Sequence, residues 1–375
     1  MNIVMYSADY FPPKQMNANH NRLHRLAKGL SKKHNVVIFC PNKYYCYDES
    51  EFDGIKIIRI PNINIRFIKR VFQSITAYIF IKKKLKNFSI DIFWYNSAHS
   101  FLLSKKFRCL KIFDVMGLIQ LESTKKDNSI LAKLKQTYYK KIENKVLQNS
   151  NYIITVNEAH KKTILKIIKK DIFVLRDGFD KLFLKPYKKK EDNTIRITFV
   201  GSLFKDRLNG IIEKFSTIIK RNNNIYFEII GDGTYIRKYK EIISKNNCKK
   251  NVKFSGYLEN NIVYSHLKNS DICFSDDWSY IGFPTKVFEY MAMGKAVLVE
   301  DTPAVREIVK DGINGILYKD PDDFVDKLLM LAKNKKLRKK IGKNAKKDAK
   351  NHTWDVRAKQ FNKIIKEICD DKKMD

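Results

Sequence analysis

Short apolar runs alternating with longer amphipathic stretches, in two successive series, are the feature that most narrows what this chain folds into. Ile3–Ser7, Val36–Cys40, Ile55–Ile60, Ile90–Tyr95, Leu110–Val115 and Tyr152–Val156 read as strands in the first half. Ile195–Gly201, Tyr226–Gly231, Val252–Ser255, Asp271–Ser275 and Ala296–Val299 read so in the second. Helical periodicity fills the spaces between, at His20–Lys32, Ile130–Gln148, Ile211–Lys220 and Tyr235–Ser244. Near-continuous apolar strands separated by helices imply parallel sheets covered on both faces. Two such series in 375 residues imply an α/β architecture of two doubly wound domains. The charged stretch Phe183–Asn193 marks the boundary between them. A further helix, Thr353–Cys369, carries apolar residues at Trp354, Phe361, Ile364, Ile365 and Ile368. The expected division is therefore 1–185, 186–352 and a C-terminal helix in 353–375.

The most informative segment for function is Gly282–Glu300, GFPTKVFEYMAMGKAVLVE. It reads as a loop, a helix beginning near Pro284, and a buried strand from Lys295 to Glu300. Proline suits a first helical turn, where its missing N–H is no loss. A helix start offers free N–H groups and partial positive charge to a phosphate, and Lys286 adds a full charge there. Glu289, one turn on, is placed to accept from a ribose diol. A phosphate seat and a sugar-holding acid on one helix point to a nucleotide-sugar site. Gly201-Ser-Leu-Phe-Lys-Asp-Arg-Leu-Asn-Gly210 also joins a strand to a helix, with Lys205 or Arg207 able to meet a diphosphate. Taken alone, such a turn is a plain turn. Gly231-Asp232-Gly233 and Phe254-Ser-Gly256 repeat the arrangement, and glycine turns at neighbouring strand ends line the edge where open parallel sheets bind ligands.

Composition narrows the partners. The formal charge is +34, from 74 basic and 40 acidic residues, which favours nucleic acid, acidic lipid or phosphorylated substrates. The alternative is a compositional bias towards lysine, asparagine and isoleucine. The lysine runs lack the aromatic and glycine pattern of an RNA-recognition module, so nucleic-acid binding rests on charge alone. Six cysteines with no CxxC pair argue against a zinc ribbon or disulfide scaffold and fit a reducing compartment. The N-terminal run reads as a strand rather than a signal peptide, and no uncharged apolar stretch reaches membrane-spanning length. Ile65–Phe88 has basic clusters around an apolar, aromatic middle. It reads as a crossover helix packed on the sheet, or else as an interfacial helix on acidic lipid.

Other chemistries find less support. No GxxxxGK[ST] stretch exists for a P-loop, and no GxGxxG follows the first strand. His20 and His24 share a helix face without the glutamate of a zinc protease, and read as a satisfied surface pair. Asp276-Asp277 and Asp320-Pro-Asp-Asp323 read as solvated loops or helix starts rather than metal ligands. No metal site and no cofactor are expected.

With these residues in place, the chain resembles family 4 (group 1) glycosyltransferases, which have the GT-B fold. The likeness is strongest from Ile195 to Trp354. Pro284-Thr-Lys-Val-Phe-Glu-Tyr-Met-Ala-Met-Gly-Lys295 is similar to the family's donor-binding helix, and Glu289 matches the second glutamate of its E-x7-E motif. Asp311–Gly315, the Trp354 helix and Asp177–Asp180 are also similar to family features. Several positions depart from the pattern. Ile281 stands where the first glutamate belongs, Ser202 replaces an arginine, and Asn209-Gly210 replaces Lys-Gly. The N-terminal glycine pair becomes Gln15-Met-Asn-Ala18, and the mid-chain histidine position falls near Met116-Gly117, with Asp114 close by.

The resemblance implies two Rossmann-like domains facing a cleft, with the C-terminal helix crossing back to the first. It also implies retaining, metal-independent transfer from a nucleoside diphosphate sugar to a saccharide or lipid-linked acceptor. Lys286, Arg207, Lys205 and Asp114 are the catalytic candidates. Gly201, Ser202, Gly231, Asp232, Gly233, Gly256, Tyr257, Pro284, Thr285, Val287, Phe288 and Glu289 are the donor-side candidates. Gln15, Asn17 and His20 are expected on the acceptor side. The expected location is cytoplasmic, peripheral on the inner membrane face. Rival readings are a catalytically inactive GT-B subunit and a nucleotide-sugar 2-epimerase.

Overall fold

A computed structural model describes the chain except residues 14–16, 45, 63–68, 86–88, 101–102, 104, 119–129, 190–191, 206, 209, 277–282 and 372–375. The side chains of residues 69–72, 130–132, 135 and 371 are likewise undescribed. The chain divides into two compact units, Met1–Asp177 with Trp354–Asp375, and Gly178–Thr353.

The first unit is built on a sheet of order β3-β4-β2-β1-β5-β6-β7-β8. Its strands are β1 Asn2–Tyr6, β2 Asn35–Pro41, β3 Asp48–Phe52, β4 Ile55–Ile60, β5 Ile92–Tyr95, β6 Leu110–Val115, β7 Tyr152–Thr155 and β8 Ile172–Val174. All neighbours are parallel except β3 and β4. Because the central strands are buried on both faces, each face carries its own core. On one face α1 (Ala18–Leu30) places Leu23, Leu26 and Leu30 against Ile3, Met5 and Trp94. On the other, α2 (Lys69–Lys84) and α3 (Ile130–Asn149) bring Ala77, Ile81, Val146 and Leu147 against Val4, Tyr6 and Phe93. A shorter helix, α4 (Glu158–Leu165), is capped by Asn157 and adds Ile164 to the second core.

The second unit has the all-parallel order β11-β10-β9-β12-β13-β14. These strands are β9 Ile195–Val200, β10 Ile225–Ile230, β11 Val252–Gly256, β12 Ile272–Ser275, β13 Ala296–Glu300 and β14 Ile316–Tyr318. The chain runs outward from β9 to β11, then returns across β9 to start β12. That reversal creates a switch point between β9 and β12 at the carboxyl edge of the sheet, where such folds bind ligands. The helices are α5 Ile211–Arg221, α6 Ile236–Lys245, α7 Asn260–Lys268, α8 Lys286–Ala292, α9 Pro303–Arg306, α10 Pro321–Lys333 and α11 Lys335–Ala349. Asp320 caps α10 by accepting from the N–H groups of Asp322 and Asp323, both at 2.9 Å, so this acidic run is a helix start.

The final helix, α12 (Trp354–Asp371), belongs to the first unit. Phe361, Ile364, Ile365 and Ile368 join the core of α1. Gly29 leaves room for Ala358: a Cβ built on it would lie 2.1 Å from the Ala358 Cβ. No described helix is long and apolar enough to cross a membrane.

Candidate donor site

The carboxyl edge of the second sheet is shaped by close backbone contact. Gly231 has φ +144, and a Cβ built there would sit 1.8 Å from the Gly201 carbonyl oxygen. Only glycine fits this approach without strain. A Cβ on Gly233 would meet the Leu203 carbonyl oxygen at 2.2 Å, and Leu203 N–H donates to the Asp232 carbonyl at 2.9 Å. The turns after β9 and β10 therefore lie backbone on backbone. Gly256, φ +69, ends β11 with open space around its Cα. Ser202, Lys205, Asp232 and Tyr257 are exposed beside these turns, while the Asp232 carboxylate accepts from Gly233 N–H at 2.7 Å.

At the switch point itself, Arg207 and Asp276 form a buried ion pair, Nη2 to Oδ1 at 2.9 Å. Asp276 directly follows β12, and its Oδ2 also accepts from Leu208 N–H at 2.6 Å. The guanidinium lies over the Phe199 and Phe204 rings, 5.3 and 5.9 Å from their centroids. Tyr239 Oη donates to the Arg207 carbonyl. Burial raises the Asp276 carboxyl above its ordinary value, and Arg207 opposes that shift. The Arg207 Nε–H has no acceptor among the described residues. Asp276 was expected in a solvated loop; it is instead 4% exposed, because the loop after β9 folds over it.

The helix α8 supplies the second half of the site. It begins at Lys286 rather than at Pro284; Thr285 holds the cap position and Val287 N–H donates to the Pro284 carbonyl at 2.9 Å. Lys286 Nζ bridges both Glu289 oxygens at 2.9 and 3.0 Å and reaches Asn260 Oδ1 at 3.3 Å. Glu289 is 8% exposed. Burial pushes its carboxyl upward against the pull of Lys286, and Asp180 adds to the rise. Val200 N–H donates to Tyr290 Oη at 2.8 Å, which fastens the helix to the end of β9 beside Gly201. Val287 and Phe288, expected to face the donor, are wholly buried. Phe288 packs between Phe283 and His352, with centroids 4.5 and 4.6 Å away, so its ring seats the helix.

In the first unit Asn17, His20 and Asp114 each make contacts within the fold. Asn17 caps α1, its Oδ1 accepting from His20 N–H at 3.0 Å. His20 and His24 are buried against Phe11 rather than exposed as a surface pair, since the inner face of α1 meets that ring. Asp114 has no exposure, and both its oxygens accept from Arg22, at 2.8 and 2.9 Å. Gln15, Asn209 and Ile281 lie outside the described residues. Among those described, no group of three or more His, Cys, Asp or Glu side chains is arranged to hold a metal. Sequence reasoning missed the Arg207–Asp276 pairing, whose partners stand 69 positions apart (276 minus 207) with no shared motif. The topology of β9 and β12 is what joins them.

Comparison with known proteins agrees with this geometry. Residues 20–181 match Glycosyltransferase Family 4, and residues 180–348 match Glycosyl transferases group 1. An uncharacterised glycosyltransferase of Methanocaldococcus jannaschii is 26% identical over a 400-residue alignment that spans 98% of both chains. The N,N'-diacetylbacillosaminyl-diphospho-undecaprenol alpha-1,3-N-acetylgalactosaminyltransferase of Campylobacter jejuni is 30% identical over 104 residues, 27% of each chain. Among solved structures, Anabaena HepE in complex with UDP-glucose superposes with a TM-score of 0.75 at 13% identity. That match covers 98% of this chain and 100% of HepE, a likeness of fold. With both its family segments matched and the two parallel α/β units in place, the chain belongs to the family 4, group 1 glycosyltransferases of GT-B fold.

Proposed function

We propose that this enzyme transfers a sugar from a nucleoside diphosphate donor to a saccharide hydroxyl with retention at the anomeric carbon. The acceptor is lipid-linked, at the cytoplasmic face of a membrane, in surface polysaccharide or glycoconjugate synthesis. The observation that carries the reading is the pair of half-buried Lys286 and buried Glu289, fastened beside the glycine turns of β9 and β10. A carboxylate has about four acceptor positions, so Glu289 retains capacity for a ribose diol while it holds Lys286.

The chemistry follows from charge. As the bond between the anomeric carbon and the diphosphate oxygen breaks, negative charge grows on the leaving group. Lys286, with Lys205 and Arg207, meets that charge, and preorganised cations in a partly dry site lower the barrier most where charge develops. The departing phosphate oxygen takes the proton of the acceptor hydroxyl as the new glycosidic bond forms on the same face. No protein nucleophile is required. UDP-glucose in the Anabaena fold relative supports a nucleotide-sugar donor, and the diphospho-undecaprenol substrate named for the Campylobacter relative supports a lipid-linked acceptor.

Titration calorimetry with UDP, GDP and CDP tests the donor half. Glu289→Ala weakens the nucleotide that binds by about 2 kcal/mol, roughly thirtyfold, as expected for hydrogen bonds to a charged group. Unchanged affinity removes Glu289 from the ribose. Product analysis by NMR tests retention, and an inverted anomer ends that part of the reading.

A further inference from the structure

We infer that the second unit carries an accessory saccharide-binding site on the face of its sheet, beside the end of α7 and away from the donor edge. The reading goes beyond the donor and acceptor proposed above and does not depend on them. On one face of β9 and β10, Ile197, Phe199, Phe227 and Ile229 enter the core. On the other face the register sets three rows of side chains. Arg196 stands beside Tyr226, Thr198 beside Glu228 with Lys253 of β11 next to it, and Val200 beside Ile230. The last row is apolar and shares a core with Val263, Tyr264 and Leu267 of α7. The first two rows are polar, although β9 and β10 lie inside a parallel sheet, where both faces are ordinarily apolar. The length of α7 explains the change. Its nine residues span about 14 Å against about 20 Å for β9, so it covers only the carboxyl end of the strands. A cavity of about 360 Å³ is left beside its last turn, floored by the two polar rows and walled by His266 and Asn269. The row of Val200 and Ile230 separates this cavity from the glycine turns that follow at Gly201 and Gly231.

The polar groups of the cavity are fixed in place. Glu228 Oε1 accepts from Ser255 Oγ at 2.6 Å and from His266 Nδ1 at 2.8 Å, with Lys253 Nζ 3.5 Å away. Its Oε2 takes no hydrogen bond from the described residues, so an anchored carboxylate keeps one oxygen open. Thr198 and Ser270 share a hydrogen bond at 2.6 Å, and Asp192 holds the Arg196 guanidinium at 2.7 and 2.6 Å. Charge and hydrogen bonding select the ligand. The arginine and lysine of the lining each stand against a carboxylate, Arg196 against Asp192 and Lys253 against Glu228. The cavity therefore favours a neutral molecule over a phosphate. An open carboxylate oxygen only accepts, so it asks for a ligand that donates, as hydroxyl groups do. Tyr226 adds a ring for an apolar C–H face and a phenol that donates and accepts. A hexose, free or at the end of a glycan, joins those properties. The volume lies within the range of small-molecule sites, roughly 300–1,000 Å³.

Saturation-transfer NMR titrations of the full chain test this, with glucose, galactose and N-acetylglucosamine, and with maltotriose and chitotriose. Transfer to sugar ring protons is expected for the wild type. Glu228→Gln weakens that binding roughly tenfold and Tyr226→Phe about fivefold, as for one hydrogen bond to a charged and to a neutral group. Unfolding midpoints equal to the wild type confirm that both variants keep the fold. Glu228→Gln retains the nucleotide affinity of the wild type, which separates this cavity from the donor edge. Binding of the free hexoses assigns the site to a soluble sugar, and binding of the trisaccharides alone assigns it to the end of a glycan. Either result upholds the inference. No transfer to any of these sugars overturns it, as do variants that bind like the wild type. Binding that is lost in Lys286→Ala and kept in Glu228→Gln puts the sugar at the donor edge, overturning this site while the proposed transfer stands.

Discussion

Each unit holds a buried arginine–aspartate pair at the carboxyl side of its sheet, and the two pairs are finished differently. In the first unit Arg22 is satisfied on every side. It donates twice to Asp114, at 2.8 and 2.9 Å, once to Asp177 at 2.9 Å, and once to the Leu175 carbonyl at 2.8 Å. In the second unit Arg207 has one close carboxylate, two phenyl rings beneath it, and an Nε–H without an acceptor among the described residues. A buried donor left unmade costs about 1–3 kcal/mol. The first pair is a strut. The second is a strut at the sheet's switch point in which Arg207 Nε–H and Asp276 Oδ1 have no hydrogen-bond partner among the described residues.

Removing one partner of the sealed pair breaks the contrast most directly. Asp114→Ala is expected to lower unfolding stability by about 3–5 kcal/mol, because it leaves Arg22 charged and buried. Denaturant unfolding that matches the wild type would make the two pairs equivalent.

Acid should separate the units next. His24 and His160 lie in the first unit, and burial holds each imidazole down to about 4. The unfolded chain therefore takes up protons first, near pH 6.5, so the stability these groups contribute is present above that value. It is lost as pH falls from about 6.5 to about 4, on the order of 3 kcal/mol for each. The histidines of the second unit, His266 and His352, are only partly buried. Acid titration followed by hydrogen exchange should show the first unit opening before the second, and His160→Gln should flatten that limb. Simultaneous opening would refute the assignment.

The smallest effect sharpens the role of Arg207. A nucleoside diphosphate at 100 times its dissociation constant stabilises the folded chain by about 2.7 kcal/mol. Arg207→Ala should abolish most of that thermal shift at the same concentration, whereas the folded fraction of Asp114→Ala should retain it. Equal shifts in both variants would remove Arg207 from the donor.

Much of this was legible in the residues. The run Leu110–Val115 coincides with β6, and the other expected strands fall within two residues of the observed ones, since buried parallel strands announce themselves by continuous apolar character. The strand β3 escaped because DESEF is charged and pairs antiparallel at an edge, where one face meets water. The three-residue strands β8 and β14 are too short to show a pattern. Lys286 and Glu289 were readable from their spacing on one helix. The burial of Val287 and Phe288 was not, since whether an apolar side chain faces a ligand or a neighbour depends on Phe283 and His352, the latter far along the sequence. Asp276 and His24 failed for the same reason: a polar residue gives no local sign that a distant loop or ring will cover it.

The placement of α12 carries a consequence for synthesis. The first unit is assembled from two stretches of chain separated by the whole of the second. As the polypeptide leaves the ribosome, the second unit has all its strands before Phe361, Ile364, Ile365 and Ile368 emerge to cover α1. Until then Leu23, Leu26 and Leu30 lack that cover, and the nascent first unit waits with an unsealed flank for chaperones to shield.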